Sequence, residues 1–284
     1  MASKYVNNES KHTQRFADIP GEPRRMLGPI QGYDKMPLVS LEQAVEPLVS
    51  YVPDVKRMVW TVKQNCGSPA DVVLHILANA QWAPNGVTVA GRREAGNTTD
   101  RLSKPYSLFI TNDQTVVIAD TDNHRIIQWK IGDPNGQVVA GGHGKGNGLD
   151  QLNCPTDVLI DKDTDSLIIC DRWNRRVMRW SRQSGTSRGE ILFDNILCWG
   201  LTMDDQRYLY ISDNEKHEVR RYQIGDKNGT IVAGGYGKGS ALNQLSEPRH
   251  IFVDRQQAVY VSDKNNHRVV KWNKGAKEGI IVAG

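Results

Sequence analysis

Short runs of β-branched and aliphatic residues alternate with polar turns through residues 79–284. Four runs, at 116–118, 167–169, 209–211 and 259–261, are each followed by an aspartate, a polar turn and, nine residues after the aspartate, an aromatic side chain. The aspartates are Asp120, Asp171, Asp213 and Asp263. Apolar runs of this kind between turn residues are typical of β-strands. The pattern therefore predicts four copies of one β-rich unit.

Each unit contains three further predicted strands. A proline begins an apolar strand ahead of the aspartate strand in three units, at Pro105, Pro155 and Pro248, and another strand follows each aspartate turn. A last strand, as at 138–141 and 231–234, follows a glycine-containing turn, which is a strong hairpin signal. Because a single four-stranded sheet cannot bury both of its faces, such repeats stack as propeller blades. We predict an all-β fold, a β-propeller of four clear blades of four antiparallel strands, in which the ring can be open or incomplete.

The units share a longer motif. The fourth reads Val-Tyr-Val-Ser-Asp-Lys-Asn-Asn-His-Arg-Val at 259–269, and the first has Thr-Asp-Asn-His-Arg at 121–125. With the proline-led strand and the closing tryptophan, this sequence resembles the NHL-repeat family over about residues 79–284. The third unit departs from the motif, because Cys198-Trp199 replaces the proline and Lys216-His217-Glu218 replaces Asn-His-Arg.

The resemblance implies a propeller that commonly has about six blades. This chain has four units and a lone strand at 86–91, which resembles the strand that completes the last blade of a closed ring. We therefore expect the last two blades to be missing. Exposed blade edges would then favour self-association.

The residues before the repeats divide into two segments. Residues 1–35 are polar and contain three prolines, which predicts an extended or disordered lead-in. Residues 36–72 have helical apolar spacing after a capping box of Ser40 and Gln43, which predicts a short α-helical extension. The stretch 15–66 resembles the opening of arginine-specific mono-ADP-ribosyltransferase domains, but the chain contains no Glu-x-Glu turn. We regard the segment as a truncated remnant and predict no catalytic residue and no cofactor.

Composition narrows the class of protein. Hydrophobic residues make up 38% of the chain, which is enough for a core, and the mean hydropathy of −0.53 describes a soluble chain. No apolar run is long enough to span a bilayer and no apolar leader is evident, so we expect no membrane partner and a cytoplasmic location. The net charge of +4 permits binding to nucleic acid without requiring it. The four cysteines have no C-x-x-C spacing, so we predict buried free thiols.

The polar positions that recur in the repeat are predicted to serve the fold. Each aspartate ends a strand, where its carboxylate can accept hydrogen bonds from N–H groups two residues on. His124, His217 and His267 share one position in the repeat, and a ring of metal ligands is the alternative. Their spacing places them on separate blade tips, so we predict no metal site. The runs 141–146 and 234–239 resemble phosphate-binding loops, but a strand rather than a helix follows, and glycine at positive φ in a connecting loop explains both.

The Asp turns and the loops between blades are predicted to share one face, because consecutive strands run in opposite directions. The candidate partner-binding residues on this face are Tyr106, Lys145, Arg172, Trp173, Arg175, Tyr236, Lys238, Arg249 and His250. Acidic residues among them are Asp122, Asp150, Asp157, Glu215 and Glu247. Arginine and aromatic side chains bind proteins and single-stranded RNA alike. We predict a non-enzymatic scaffold for a protein partner, with RNA binding and an inactive ADP-ribosyltransferase fragment as the alternatives.

Overall fold

The computed structural model describes residues 85–92, 94–183 and 186–284, together with the backbone of two short strands near the N-terminus. Those strands, β1 (Arg15–Phe16) and β2 (Met26–Leu27), pair in antiparallel fashion within the predicted lead-in. They belong to a compact unit, Met1–Met58, that is separate from the unit Val59–Gly284. The helices predicted within 36–72 lie outside the described residues. In the described part, no helix is long and apolar enough to cross a membrane.

Sixteen strands form four antiparallel sheets, which confirms the predicted all-β fold with four blades. In each sheet the strands are hydrogen-bonded in chain order. The first blade is β3 (Pro105–Ile110), β4 (Thr115–Asp120), β5 (Arg125–Lys130) and β6 (Gln137–Gly141), and the second is β7 (Pro155–Asp161), β8 (Ser166–Asp171), β9 (Arg176–Ser181) and β10 (Glu190–Asp194). The third is β11 (Cys198–Met203), β12 (Tyr208–Asp213), β13 (Glu218–Gln223) and β14 (Thr230–Gly234), and the fourth is β15 (Pro248–Val253), β16 (Val259–Asp263), β17 (Arg268–Trp272) and β18 (Ile280–Ala283).

The core lies between successive blades. The strands that begin the blades, β3, β7, β11 and β15, lie beside one another in that order and are the innermost strands. Every residue of β4 and of β8 is buried, because both faces of their sheets are covered. Repeated stacking therefore supplies the apolar burial that a single sheet cannot achieve.

The fourth blade has one uncovered face among the described residues. Ile126, Val177 and Val219 occupy one position in the first three blades and are fully buried, whereas Val269 at that position in the fourth is partly exposed. The strand β18 is exposed along its length. Gly141 and Gly234 pack against the fully buried side chains of Leu152 and Leu245. At the equivalent position in the fourth blade, Gly284 instead lines a surface pocket. The exposed positions thus follow the register of the repeat.

The predicted strand at 86–91 is not a strand in the structure. These residues have no β-pairing with any described strand, and Val87 is 70% exposed. A strand requires a neighbour to satisfy its N–H and C=O groups, and none is described there. Leu102, farther along the same segment, does pack on the outer face of the first blade.

A disulfide joins the second and third blades. Cys170 in β8 and Cys198 at the start of β11 are bonded, with their Cα atoms 5.5 Å apart. The prediction of free thiols is therefore wrong for these two residues, which lie 28 positions apart in the sequence and meet only when the blades stack. Cys154 is free, and Cys66 lies outside the described residues.

Candidate functional site

The candidate partner-binding face is built on a hydrogen-bonded turn after the second strand of each blade. In the second blade, Asp171 accepts hydrogen bonds from the Asn153 N–H at 2.7 Å, from Asn174 at 2.8 Å and from Arg176 at 2.7 Å. Arg176 also donates to the carbonyl oxygens of three residues in the preceding loop, Asn147, Gly148 and Gln151. The turn and the inter-blade loop are thereby held together, as the strand directions predict.

The first and fourth blades repeat this arrangement. Asp120 and Asp263 each accept from an asparagine three residues on and an arginine five residues on. The predicted bonds from Asp to the next N–H groups occur only in the third blade, where Asp213 accepts from the Glu215 and Lys216 N–H groups. There, Lys216 and Glu218 replace the Asn and Arg, so the carboxylate turns to its own backbone. Burial raises the pKa of Asp171 despite these partners. These carboxylates hold loops in place.

The recurring histidines close the turns. His124, His217 and His267 have φ between 52° and 55°, and Arg175 takes the same conformation in the second blade. The Nδ1 atoms of His124 and His217 accept hydrogen bonds from N–H groups of the next blade, at Cys154 and Glu247. Burial, with a smaller effect of the Lys145 charge, lowers the pKa of His124. The parts of the chain that the structure describes contain no group of three His, Cys, Asp or Glu side chains placed to hold a metal.

The glycine-rich runs are connecting loops. Gly141 and Gly234 have φ of 66° and 68°, and a Cβ at Gly141 would lie 2.6 Å from the His124 carbonyl oxygen. Only glycine accommodates both the conformation and the close approach. Each run leads into the innermost strand of the next blade, which agrees with the interpretation made from sequence.

Many positive charges on the face are paired with carboxylates. Arg175 binds Glu215 at 2.5 Å, and two lysine pairs, Lys104 with Asp122 and Lys264 with Glu247, have N–O distances of 2.9 Å. Within residues 85–92, 94–183 and 186–284, four basic side chains of the face have no ion-pair partner: Lys145, Lys238, Arg172 and Arg249. The face is therefore less positive than its basic residues alone imply.

The two unpaired arginines of the face meet at Trp199. The Cζ atom of Arg249 lies 4.0 Å from the centre of the Trp199 ring, and that of Arg172 lies 4.4 Å from it. Arg172 also lies 4.5 Å from the Trp173 ring, and Tyr106 packs 5.5 Å from Trp199, measured between ring centres. Trp199 is only 4% exposed, whereas Trp173 and Tyr106 are 54% and 45% exposed. We call these five residues the Trp199 cluster.

Three buried donors of this cluster lack hydrogen-bond partners. They are the Nε atoms of Arg172 and Arg249 and the indole Nε1 of Trp199. Burial lowers the pKa of Arg172, and the neighbouring charge of Arg249 lowers it further. Two cations thus lie around one indole, and neither forms an ion pair with a described carboxylate, although the more distant Glu247 charge acts on Arg172.

A buried carboxyl lies next to the cluster on the innermost strands. Asp157 in β7 accepts hydrogen bonds from the Ser107 hydroxyl of β3 and from the Leu201 N–H of β11, the latter at 2.7 Å. Burial raises the pKa of Asp157, and the nearby His250 opposes that rise. Asp157 was predicted as an exposed acidic residue of the face; that is wrong, because it links three adjacent blades from the interior.

The structure brings together four of the nine predicted binding residues, Tyr106, Arg172, Trp173 and Arg249. Arg175 is occupied by Glu215, while Tyr236, Lys238 and Lys145 lie on the glycine-rich loops and His250 is exposed on β15. Trp199 was not predicted as a binding residue. Its signal was the break in the motif, since it follows Cys198, which stands where the other units have proline.

The fold is a β-propeller. A solved structure of a protein of unknown function from Bacteroides thetaiotaomicron has a TM-score of 0.50 and 16% identity, covering 65% of this chain and 46% of its own length. A virginiamycin B lyase from Staphylococcus aureus has a TM-score of 0.45 and 12% identity, with coverage of 66% and 57%. A streptogramin B lyase has a TM-score of 0.46 and 11% identity, covering 63% of this chain and 53% of its own length. This chain thus spans about half the length of these structures. The likeness with a TM-score of 0.50 shows the fold alone. No family model and no curated protein matches the sequence.

Proposed function

We propose that this chain is an NHL-type propeller that serves as a protein-binding scaffold through the face formed by its Asp turns and inter-blade loops. The observation that carries the proposal is the Trp199 cluster. Exposed Trp173 and Tyr106 lie there beside two arginines that have no acidic partner. Tryptophan, tyrosine and arginine are the residue types that contribute most to binding at protein interfaces. Buried neighbours also hold these side chains in place, which lowers the entropic cost of binding.

Binding to single-stranded RNA is the weaker interpretation. It requires a continuous positive surface along the backbone and open aromatic faces for bases. The pairs Lys104–Asp122, Arg175–Glu215 and Lys264–Glu247 interrupt that surface. Trp199 is buried against Arg172 and Arg249, so its ring is closed to a base.

The proposed scaffold is not an enzyme. The conspicuous carboxylates of the described blades bind loops, and Asp157 is enclosed between innermost strands. Apart from the backbone of β1 and β2, the segment that resembles an ADP-ribosyltransferase lies outside the described residues, and its remnant status remains a prediction. The cytoplasmic location also remains a prediction, and the Cys170–Cys198 disulfide weighs against it because disulfides are rare in the cytosol.

Site-specific photo-crosslinking tests the proposal. A benzophenone amino acid replaces Trp173, and a control protein carries it at exposed Lys227, on the β13–β14 turn at the opposite end of the strands. In cells that produce the protein, we expect discrete protein adducts from position 173 that are absent from position 227. Nuclease-sensitive adducts at 173, or the same adducts at both positions, would contradict the proposal.

A further inference from the structure

Two groups of arginines in the blades differ in their hydrogen bonds. Arg125, Arg176 and Arg268 each donate four hydrogen bonds, one to an aspartate and three to loop carbonyl groups. Within the described part of the chain, Arg172 and Arg249 donate none, although the Nε atom of each is buried. The first group has a complete set of partners inside the fold. The second group lacks partners that the fold elsewhere supplies.

An unsatisfied pair of cations is costly unless something compensates it. Buried donors without acceptors destabilise a protein, and charged donors do so more than neutral ones. Stacking on the Trp199 ring offsets part of this cost through cation–π attraction, but it satisfies no N–H group. Arg172 and Arg249 also repel each other. An anion bound at the exposed side of the two guanidinium groups would relieve this repulsion.

The chemistry of the donors favours a carboxylate. A guanidinium group presents a planar fork that matches the two oxygens of a carboxylate. The exposed rings of Trp173 and Tyr106 beside it offer apolar contact to the chain that carries the carboxylate. A nucleic acid would also need a continuous positive surface for its backbone, and the ion pairs of Lys104, Arg175 and Lys264 interrupt that surface.

We propose that the Trp199 cluster binds the carboxylate of an acidic peptide segment from a partner protein, held between the guanidinium groups of Arg172 and Arg249. This inference rests on the proposed scaffold function and names the chemistry of its partner. Trp173 and Tyr106 contact the segment on either side of the carboxylate. Affinity therefore depends on salt, because both arginines remain partly exposed to solvent.

Binding of a labelled, acetylated and amidated hexaglutamate peptide, followed by fluorescence anisotropy, tests the inference. We expect saturable binding that weakens as salt rises, with no binding of the matching hexaglutamine peptide. Arg172→Gln and Arg249→Gln should each weaken binding about tenfold or more, as expected for loss of a charged hydrogen-bonding partner. Arg172→Lys should recover only part of the affinity, since lysine lacks the fork. The control Arg188→Gln removes the same charge at an exposed site between β9 and β10 and should leave the affinity unchanged.

The outcomes separate this inference from the proposed function. Equal weakening by Arg188→Gln would show that only net charge matters, and absence of saturable hexaglutamate binding would refute the carboxylate site. Tighter, arginine-dependent binding of hexathymidylate would overturn it in favour of nucleic acid. If protein adducts form at position 173 while hexaglutamate does not bind, the scaffold function stands and only the acidic partner is refuted. Each glutamine variant removes an unpaired charge, so cooperative urea unfolding with a midpoint no lower than that of the wild type is expected. That result excludes misfolding as the cause of lost binding.

Discussion

Replacement of one valine by threonine at equivalent positions of two blades tests the uncovered face of the fourth blade. Val219 is fully buried between the third and fourth blades, and Val269 occupies the same position one blade later, where it is partly exposed. Each residue pairs with a serine of the preceding strand, Ser212 and Ser262 respectively. Threonine preserves the shape and β-branching of valine, so the substitution changes little except polarity.

The structure assigns different costs to the two substitutions. A hydroxyl buried without a partner destabilises a protein by about 1–3 kcal/mol, so we expect Val219→Thr to lower the free energy of unfolding by about 2 kcal/mol. For a domain of this size, that loss corresponds to a melting temperature lower by about 5 °C. Val269→Thr leaves its hydroxyl in contact with water and should change stability by less than about 0.5 kcal/mol.

Urea unfolding of the wild type and the two variants, followed by circular dichroism, measures both values. Val177→Thr in the second blade is a second buried case and should behave like Val219→Thr. An unchanged slope against urea would show that the variants differ in stability alone. An equal loss in Val269→Thr and Val219→Thr would refute the reasoning, because it would mean that this face is covered in solution.

Three further outcomes follow from other described contacts. Arg176→Lys keeps the charge but loses the fork that binds three loop carbonyl groups, so urea unfolding should show a loss of about 3 kcal/mol, whereas Arg188→Lys at an exposed site should show none. Dithiothreitol should destabilise the wild type by about 3–4 kcal/mol, which is the contribution of loop-closure entropy expected for a loop of this length. It should have no such effect on Cys198→Ala. Equal urea midpoints of the wild type with and without the reductant would contradict the disulfide. His124 has a lowered pKa and accepts an N–H bond at Nδ1, so its contribution to stability is present above the ordinary pKa of 6.5 and is lost as the pH falls through its lower folded pKa. Asparagine tolerates positive φ, so His124→Asn should remove the His124 contribution to the difference in stability between about pH 7.5 and about pH 5, measured by urea unfolding. A pH dependence identical to that of the wild type would count against this role of His124.

The strands and turns of the blades could be predicted because their signals are local. The aspartates, the glycine turns and the aromatic closing residues each recur in register, and β4, β8, β12 and β16 coincide with the predicted apolar runs. Local signals do not specify partners, however. Asp120 was expected to bind its own turn, yet it accepts from the Ser103 N–H, seventeen residues earlier, because Asn123 and Arg125 also hold it toward the incoming loop.

The candidate site shows the same limit more clearly. Arg172 and Arg249 were predicted on one face, but their convergence on Trp199 depends on residues from the second, third and fourth blades. The paired state of Arg175 likewise depends on Glu215 in the next blade. No pattern within one unit distinguishes a paired arginine from an unpaired one.

The sequence by itself determined the repeat, the number of described blades, the positions of their strands and the residue types that occupy one face. These properties depend on alternation, turn chemistry and spacing, all of which act over a few residues. The tertiary structure alone decided the Cys170–Cys198 disulfide, the burial of Asp157, the uncovered face at Val269 and the Trp199 cluster. Each of these depends on which blades stack together, because the groups that meet, or remain uncovered, belong to different repeats.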